Sequence, residues 1–394
     1  MQEPVVIVSA ARTAMGGLLG HFKDLPASTL GAAVIEACIQ RAKLAPEQIA
    51  EVFMGCVLPA GQGQAPARQA ALGAKLPYST GATTINKMCG SGMKAVMFAH
   101  DLLHVHTNSI FIAGGMESMS NAPYLIPKAR TGYRLGHGQI IDHMFYDGLE
   151  DAYDRGRLMG TFAEATAQHY KFTREAQDEF AITSLKRAQK ATQEGYFKAE
   201  IVPVTVQDKK ETRVIDIDQQ PAEAKIDKIP HLKPAFAKEG TVTAANSSSI
   251  SDGAAALLLM RQSTADSLKL KPLATITGHA THAQEPAWFT TAPIVAIQKL
   301  LAQLNWSTNQ VDLFEINEAF ATVTMAAMRD LELSHDIVNV HGGACALGHP
   351  IGASGARILV TLLHALQQRQ LKRGVASLCI GGGEATAVGI ELVD

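Results

Sequence analysis

The two halves of the chain carry the same order of short structural signals. In the first half, the apolar segment Thr83–Met88 leads into Cys89-Gly90-Ser91-Gly92, a helical segment, and a second apolar segment that ends in Gly-Gly with a nearby glutamate. Near the C-terminus, Val338–His341 precedes Gly352-Ala353-Ser354-Gly355, a helical segment, and an apolar segment ending in Gly-Gly-Gly and a glutamate. Glycine-rich turns follow many strands, so chance similarity is the alternative, but the matching order favours a duplicated unit.

Short apolar segments alternate with longer amphipathic ones, which indicates an α/β protein built around a largely buried sheet. The predicted strands are Val5–Ser9, Val52–Val57, Thr83–Met88, Ser109–Ala113, Ala256–Met260, Leu273–Thr277, Leu313–Ile316, Ile337–His341 and Ser377–Ile380. The predicted helices are Thr29–Lys43, Gly92–Leu103, Ala292–Leu304, Ala319–Leu331 and Gly355–Gln368.

The stretch from about residue 120 to residue 249 differs from both repeats, since it is richer in charge, glutamine and proline. Thr173 is a predicted helix N-cap, and the capping-box pattern from Thr161 to Glu164 predicts a second helix start. We interpret this stretch as a loop domain inserted into an N-terminal domain of residues 1–270. Residues 271–394 then form the C-terminal domain.

Composition excludes several classes of protein. With 394 residues, 47% hydrophobic and 18% charged, the chain is that of a folded globular protein. Its 35 basic and 37 acidic residues give a net charge of −2, which argues against nucleic acid or an anionic membrane as the main partner.

No apolar run reaches the roughly 18 residues of a membrane-spanning helix. The segment Met1–Pro4 has no basic region followed by a long apolar one, so we expect no secretory signal and a cytoplasmic location. The odd number of cysteines, 5 in a large chain, fits a reducing compartment better than a disulfide framework. Because none of them forms a CxxC pair, a structural zinc site has little support and we expect no metal site.

Cys89 is a candidate nucleophile because it lies where a predicted strand ends and a helix begins. A thiol at a helix N-terminus faces unpaired backbone N–H groups and the positive end of the helix dipole, which lowers its pKa. Small neighbours such as Gly90 and Gly92 leave room for a substrate carbonyl. The alternative is a buried structural cysteine, which is common among free cysteines.

A dinucleotide-binding site is a competing interpretation of the same segment. Gly90-x-Gly92-x-x-Ala95 matches the glycine fingerprint, and Glu117 lies 117 − 95 = 22 residues further on, where a ribose-binding acid would stand. This interpretation leaves the C-terminal motifs unexplained.

Three further residues are candidates from their positions. His349 lies between Gly348 and Pro350, on a loop with a restricted backbone, where it could accept the proton of Cys89. Cys379 ends a strand at the mirror-related position and could act as a general acid/base before the glycine-rich turn. Asn317 follows a strand and could either line a site or cap the next helix. Surface exposure for His349 and core packing for Cys379 are the alternatives.

Taken together, Cys89-Gly90-Ser91-Gly92, Asn317-Glu318-Ala319-Phe320, Gly348-His349-Pro350 and Cys379-Ile380-Gly381 resemble the four catalytic loops of the thiolases. The resemblance spans essentially the whole chain, in order. It implies a five-layered α/β/α/β/α sandwich of two βαβαβαββ halves, with a loop domain inserted in the first.

The resemblance also implies residue roles. Cys89 would be the acyl-accepting nucleophile, His349 its base, and Cys379 the group that exchanges the α-proton of the second acyl-CoA. Asn317 would hold a water that forms one oxyanion hole together with His349, and the backbone N–H groups of Cys89 and Gly381 would form the other. Two acetyl-CoA would then give acetoacetyl-CoA and CoA by a ping-pong route, or the reverse.

Finer motifs, including Gly115–Pro123 and Leu232–Phe236, resemble the short-chain, acetoacetyl-CoA branch of the family. By this resemblance the CoA-binding residues are Ser248, Ala244, Leu149, Met159, Phe236, Phe289, Ala319 and Phe320. Phe289 stands where many bacterial members carry methionine. Arg155–Met159 departs from the family pattern, and Pro221 replaces an arginine expected against the adenine.

The alternatives differ in substrate and in class. A longer-chain 3-ketoacyl-CoA thiolase of fatty-acid degradation shares every catalytic loop, whereas a ketosynthase would need a second histidine in place of Asn317. An inactive acyl-CoA-binding relative is a further alternative, although the four catalytic side chains are present. The resemblance implies no permanently bound cofactor, coenzyme A as substrate and product, a role in lipid metabolism, and a homo-oligomer, either dimer or tetramer.

Overall fold

The computed structural model of the chain describes residues 3–207 and 211–393. Its strands are β1 Val5–Thr13, β2 Gly16–Gly17, β3 Glu51–Gly55, β4 Gly81–Ile85, β5 Phe111–Ser118, β6 Tyr124–Leu125, β7 Ile141–Asp142, β8 Ile201–Val202, β9 Val204–Gln207, β10 Thr212–Ile215, β11 Ser251–Arg261, β12 Ala274–Ala283, β13 Leu313–Ile316, β14 Arg373–Ile380 and β15 Glu384–Leu392. Its α-helices are α1 Ala27–Ala42, α2 Pro66–Gly73, α3 Ser91–Leu103, α4 Met159–Tyr170, α5 Arg174–Gln193, α6 Gln219–Glu223, α7 Gln262–Ser267, α8 Ala292–Leu304, α9 Ala321–Asp330, α10 Ala344–Leu347 and α11 Ser354–Arg369.

The strands form two half-sheets of similar order. The first half-sheet runs β4-β3-β5-β11-β1, and the second runs β13-β14-β15-β12. Antiparallel pairing of β1 with β12, with Val5 opposite Ile276, joins them. In each half the first strand in sequence, β1 or β12, lies innermost. The next strand of the half-sheet order, β3 or β13, lies at or beside the outer edge, so the topology supports the predicted duplication.

One predicted strand of the second half is wrong. In Ile337–His341 only Val338 makes a bridge, parallel to Phe314 of β13. Asn339 next to it has φ 48°, and its side-chain amide binds the backbone N–H and C=O of Ile316 at 2.9 and 2.8 Å. That amide supplies the hydrogen bonds that a continuing strand would have supplied. Strand β15 was not predicted. The five predicted helices are confirmed, with small shifts at their ends.

The helices and half-sheets stack as five layers, which three apolar cores hold together. The first outer core lies between helices α1 and α2 and the first half-sheet. The central core holds α3 and α11 between the half-sheets, and the second outer core joins α8 and α9 to the second half-sheet. Strand β11 is buried on both faces, with Leu258 in the first outer core and Leu257 and Leu259 in the central core. Such two-sided burial explains its continuous apolar sequence.

The two central helices approach each other closely at their N-termini. A Cβ atom on Gly92 of α3 would lie 3.0 Å from the backbone nitrogen of Ala356. A Cβ atom on Gly355 of α11 would lie 2.5 Å from the backbone nitrogen of Met93. Both helices therefore need glycine at the crossing, and this reciprocal contact brings the turns before them to the same place.

The segment between β5 and β11 folds against these layers. As predicted, Thr173 caps α5, where its hydroxyl accepts from the Ala176 N–H at 3.2 Å. The predicted capping box at Thr161 is wrong, because α4 begins at Met159. Glu164 instead accepts hydrogen bonds from the backbone N–H groups of Thr241 and Val242, both at 2.9 Å. Within the described residues, no helix is both long and apolar enough to cross a membrane.

Candidate active site

Cys89 lies in the short turn between β4 and α3. The preceding residue, Met88, has φ 47°, a conformation that is rare for a residue with a side chain and that turns the chain sharply. Gly90 caps α3, and the Cys89 side chain packs against residues of the central core. The turn thus holds the sulfur at the start of a buried helix, as the sequence predicted.

The electrostatic expectation for Cys89 was wrong. Burial raises the pKa of the Cys89 thiol to about 11, and the nearby Glu117 carboxylate adds to this rise. Hydrogen bonds to the sulfur from the backbone N–H groups of Gly381 and of Cys89 itself lower the pKa, but by less. Loss of hydration therefore outweighs the helix terminus, and two backbone N–H donors point at the sulfur.

His349 lies on the loop that joins α10 to α11. Gly348 before it has φ 100°, which a residue with a side chain rarely adopts. The His349 N–H donates to the Ser249 carbonyl at 3.1 Å. Burial lowers the pKa of His349 to about 3, and the positive charge of Arg357 contributes. His349 is therefore a buried neutral imidazole and not a surface histidine.

A hydrogen-bonded chain assigns the proton of His349. Its Nδ1 lies 2.5 Å from the Ser354 hydroxyl oxygen, which lies 3.0 Å from the Pro350 carbonyl oxygen. When the Ser354 hydroxyl donates to the Pro350 carbonyl, its oxygen accepts from an Nδ1–H, so this pair of hydrogen bonds favours the Nδ1–H tautomer. Nε2 then carries a lone pair, and no group among the described residues hydrogen bonds with it. This is the tautomer that a general base needs.

Cys379 is the penultimate residue of β14 and is fully buried. Burial raises the pKa of its thiol well above the ordinary value, and the neighbouring Cys89 sulfur raises it further. A negative charge on the Cys89 sulfur therefore raises the pKa of the Cys379 thiol. The turn after β14 begins with Gly381, whose N–H points at Cys89. A protonated thiol thus stands beside the candidate nucleophile.

Asn317 follows β13 and lies beside β14, the strand that carries Cys379. Its backbone N–H donates to the Ser377 carbonyl at 3.0 Å, which places it near Cys379. It is not the cap of α9, because that cap is Phe320. The Asn317 side chain is buried, and neither its oxygen nor its nitrogen has a hydrogen-bonding partner within residues 3–207 and 211–393. A buried amide of this kind is available to a water or a substrate.

A cavity of about 320 Å³ opens beside these loops. Of the predicted CoA-binding residues, those that line it are Leu149, Met159, Phe236, Ala244, Ser248 and Phe320. Phe289 and Ala319 do not line it and instead pack with Phe320 and Cys379 in one apolar cluster. Other wall residues, Leu149 among them, pack in the cluster that includes Cys89. Residues of the cavity wall therefore belong to the same two apolar clusters as the two cysteines.

Comparison with known families decides the classification. The family model described as "Thiolase, N-terminal domain" matches residues 5–263, and the one described as "Thiolase, C-terminal domain" matches residues 270–392. The chain belongs to the thiolase family. The predicted resemblance and the predicted fold are both confirmed.

Individual thiolases are similar to this chain over nearly their full lengths. An acetyl-CoA acetyltransferase of Cupriavidus necator is 49% identical over 98% of this chain and 99% of its own length. Acetyl-CoA acetyltransferase 2 of Arabidopsis thaliana is 49% identical over 99% of this chain and 97% of its own. The crystal structure of the Bacillus anthracis acetyl-CoA acetyltransferase superposes with a TM-score of 0.96 at 39% identity, covering 100% of this chain and 99% of that chain. The Acat5 thiolase of Ascaris suum in complex with coenzyme A gives 0.93 at 41% identity, covering 99% and 100%.

Two buried carboxylates hold the candidate catalytic loops of this thiolase. Glu117 accepts from the N–H groups of Val57 and Gly352, both at 2.9 Å, and burial raises the pKa of Glu117 to about 7. Glu318 accepts from the Ser184 hydroxyl at 2.7 Å and the Cys345 N–H at 3.1 Å. Because Glu117 is fully buried and is already hydrogen bonded to backbone groups, it cannot bind a ribose. The dinucleotide interpretation is therefore wrong.

Sequence reasoning did not identify several residues of the site. From the sequence, Ser354 was predicted only to be part of a repeated turn. In the structure its hydroxyl donates to the Pro350 carbonyl, and Ser91 at the matching position donates in the same way to the Met88 carbonyl at 2.6 Å. That repeat was the available signal for Ser354. The unpredicted cavity wall consists of Phe145, Leu158, Gly160, Ala235, Ser247, Ser249 and Ile250. No local pattern in the sequence marks these wall residues.

Proposed function

We propose that this thiolase is an acetyl-CoA C-acetyltransferase, which condenses two acetyl-CoA to acetoacetyl-CoA and CoA and also runs the reverse thiolysis. The observation that carries the proposal is that the Cys89 turn lies against the end of β14, which holds Cys379. A Cβ atom on Gly90 would clash with the Ile380 side chain there, and the backbone N–H groups of Cys89 and Gly381 hydrogen bond to the Cys89 sulfur. The names of its full-length relatives agree. They favour this activity over that of a longer-chain 3-ketoacyl-CoA thiolase.

In the first half-reaction Cys89 attacks the thioester carbonyl of acetyl-CoA. The sulfur–carbon bond forms while the thiol proton passes to Nε2 of His349. The carbonyl oxygen becomes an oxyanion that the N–H groups of Cys89 and Gly381 stabilise. When the tetrahedral intermediate collapses, the carbon–sulfur bond to CoA breaks and His349 returns the proton to the leaving thiolate. Acetyl-Cys89 and free CoA result.

The raised pKa of Cys89 and the lowered pKa of His349 decide when this proton moves. At neutral pH the resting pair is a thiol and a neutral imidazole. Because a separated thiolate and imidazolium would be costly in this buried place, the proton transfers as the sulfur attacks. His349 therefore acts in the transition state and not beforehand.

In the second half-reaction the Cys379 thiol passes its proton to Nε2 of His349 while its sulfur takes a proton from the α-carbon of a second acetyl-CoA. The enolate oxygen is stabilised by His349 Nε2–H and by a water held on Asn317, whose amide has no partner among the described residues. The enolate carbon attacks acetyl-Cys89, and the carbon–sulfur bond breaks. Cys89 regains a proton from Cys379, and Cys379 recovers its own proton from Nε2 of His349, which leaves both cysteines protonated and the imidazole neutral. The products are acetoacetyl-CoA and the free enzyme.

Coenzyme A enters as substrate and leaves as product, and the proposal needs no permanently bound cofactor. The pantetheine arm fits the cavity of about 320 Å³, whose wall is apolar apart from serines. Ser248 donates its hydroxyl proton to the Ala319 carbonyl at 3.0 Å, so its oxygen can accept from a pantetheine amide. Phe289 and Ala319 contribute from behind the wall, where Phe289 closes the acyl end next to Cys379.

The nucleotide end of CoA fits a second cavity of about 350 Å³ that shares Ala244 and Ser249 with the first. Its lining includes Lys225 and Lys228, which suit phosphate groups. Pro221 is buried in α6, which agrees with the loss of the arginine contact expected there. We therefore assign the phosphate contacts to the two lysines.

The remaining predictions extend this proposal. They are the division into domains at residues 270 and 271 with a loop domain from about 120 to 249, the homo-oligomer, the cytoplasmic location and the role in lipid metabolism. The near-neutral charge balance supports small-molecule substrates and no nucleic-acid partner.

Two measurements test the function. Mass spectrometry after incubation with acetyl-CoA should find one acetyl group on Cys89, and Cys89→Ala should abolish it. Thiolysis of acetoacetyl-CoA should exceed that of a longer 3-ketoacyl-CoA, because Phe289 limits the acyl end. Phe289→Ala should narrow this difference, and Phe98→Ala, an exposed phenylalanine on α3, is the control. An adduct only on Cys379 would reverse the roles, and faster cleavage of the longer substrate by the unmodified enzyme would refute the short-chain assignment.

A further inference from the structure

A cluster of two histidines and an aspartate lies outside the catalytic loops. His100 and Asp101 lie in the last turn of α3, and His279 lies on β12. His100 Nδ1 is 3.2 Å and His279 Nε2 is 2.8 Å from the same oxygen of Asp101. The three potential ligand atoms lie within 4.8 Å of one another. Two imidazoles and a carboxylate therefore converge on one point.

The surroundings leave this point accessible. The side chains of His100 and His279 are 14% and 18% exposed, whereas that of Asp101 is 53% exposed. Within the described residues, the ion pairs of Asp101 are with these two imidazoles. The ring of His104 lies 4.9 Å from that of His100, and its buried Nδ1 has no hydrogen-bonding partner among those residues. A third imidazole is thus close by with a free nitrogen.

This donor set suits a particular class of ligand. Neutral imidazole nitrogens with one carboxylate oxygen are the ligands of zinc and of neighbouring first-row divalent ions. Zinc–nitrogen distances of about 2.0–2.1 Å place tetrahedral ligand atoms about 3.3 Å apart. Small side-chain rotations bring ligand atoms within 4.8 Å to that spacing. With three protein ligands, one coordination position is left for water.

We propose that His100, Asp101 and His279 bind one divalent transition-metal ion, with Zn²⁺ the best match. The ion joins the end of α3, which packs on the first half-sheet, to β12 of the second half-sheet. A ligand that binds the folded chain and not the unfolded one stabilises the fold. The site is separate from the proposed catalytic residues, so it does not depend on the proposed function.

Titration of untagged, metal-free protein tests the proposal. Isothermal titration with Zn²⁺ should show one saturable site per chain, and Zn²⁺ should raise the melting temperature. Asp101→Asn, His100→Ala and His279→Ala should each weaken binding at least about tenfold. Asp101→Asn keeps the side-chain shape at an exposed position, so its fold should be retained. His282→Asn is the control on the same strand, because His282 bonds Gln284 and Lys299 instead, and it should bind like the unmodified protein.

Cobalt distinguishes this site from the catalytic cysteines. Co²⁺ bound by nitrogen and oxygen shows d–d absorption without the intense sulfur-to-metal charge-transfer absorption of a thiolate site. We expect the first pattern, and its loss in His279→Ala. Absence of saturable Zn²⁺ binding, binding unchanged in all three variants, or a thiolate spectrum would each overturn the proposal. In the first case Asp101 is only a hydrogen-bond acceptor for two imidazoles.

Discussion

At the scale of single residues, the two cysteines should be separable by mutation. Cys89 needs only His349 and the backbone donors to become acetylated, whereas Cys379 is needed when an α-proton is removed. Cys379→Ser should therefore still form acetyl-Cys89 while condensation falls by about 10²–10⁴-fold, the usual contribution of a positioned acid/base. Mass spectrometry and a condensation assay measure the two steps separately. Full condensation by Cys379→Ser would return Cys379 to a packing role.

Ser354 is a positioning residue whose effect should pass through His349. In Ser354→Ala the Nδ1–H loses its acceptor, so the tautomer with a free Nε2 is no longer favoured. We expect acetylation of Cys89 to slow by about 10-fold to 100-fold, by analogy with the loss of partners that orient a functional histidine. The KM for acetyl-CoA should change little, and Ser354→Thr should restore part of kcat.

The comparison for this serine is Ser334→Ala, at an exposed turn. It should leave both kcat and KM unchanged. If Ser354→Ala raised only KM, or if Ser354→Thr restored nothing, the effect would be one of packing and not of tautomer.

The sequence predicted some residues of the site better than others. Short motifs predicted the four candidate catalytic residues. Cys89 and Asn317 follow predicted strands, His349 follows a glycine, and Cys379 lies at the end of a strand. The pKa of Cys89 could not be predicted, because the helix terminus is visible in the sequence but the depth of burial is not. The wall residues Ser247, Ser249 and Ile250 were missed because only their packing against other elements places them at the cavity.

At the scale of elements, the crossing of α3 and α11 should be sensitive to one added carbon. Gly355→Ala places a Cβ atom 2.5 Å from the Met93 backbone nitrogen, and backbone in the middle of a core cannot move aside easily. We expect a loss of about 1–3 kcal/mol in the free energy of unfolding, the usual cost of overpacking. Chemical denaturation measures it.

Gly73→Ala, at the exposed end of α2, is the matched control. Its Cβ atom would meet the Ala32 methyl group at 3.0 Å and no backbone, while alanine favours a helix. Its stability should stay within about 1 kcal/mol of the unmodified protein. Equal losses in both variants would mean that the helix crossing is not the cause.

The errors at the element scale have physical causes. Ile337–His341 has the apolar composition of a strand, but the side-chain amide of Asn339 takes the place of a strand on β13. Strand β15, Glu384–Leu392, was missed although Thr386, Val388 and Ile390 alternate as strand residues do, because the alanines and the glycine between them weaken that pattern. Both outcomes depend on tertiary pairing, which local composition does not contain.

At the scale of the whole molecule, the duplication predicted from two short motifs extends through the sheet order of both halves. It places Cys89 before α3 and Ser354 at the start of α11, so that the two turns proposed to be catalytic meet at the glycine crossing. A site shared by two halves explains why neither half of the motif set indicates the chemistry alone.

The outer edge of the first half-sheet bears on assembly. Strand β4 pairs with β3, as the backbone bonds from Gly81 N–H to Ala50 and from Cys56 N–H to Ile85 show, at 3.1 and 3.0 Å. Because backbone direction alternates along a strand, the N–H groups of Ala82 and Thr84 face away from β3. An exposed edge of this kind favours pairing with another chain.

We therefore predict that the protein is a homo-oligomer, a dimer or a tetramer, with β4 at an interface. Light scattering at micromolar concentration should give at least the dimer mass. Ala82→Pro removes an outward-facing N–H at an edge strand, where proline is tolerated, so it should shift the mass toward the monomer while thermal unfolding stays cooperative. Ala82→Val keeps the N–H and should assemble normally. A monomer for the unmodified protein would contradict the prediction, and unchanged assembly of Ala82→Pro would place the interface elsewhere on the surface.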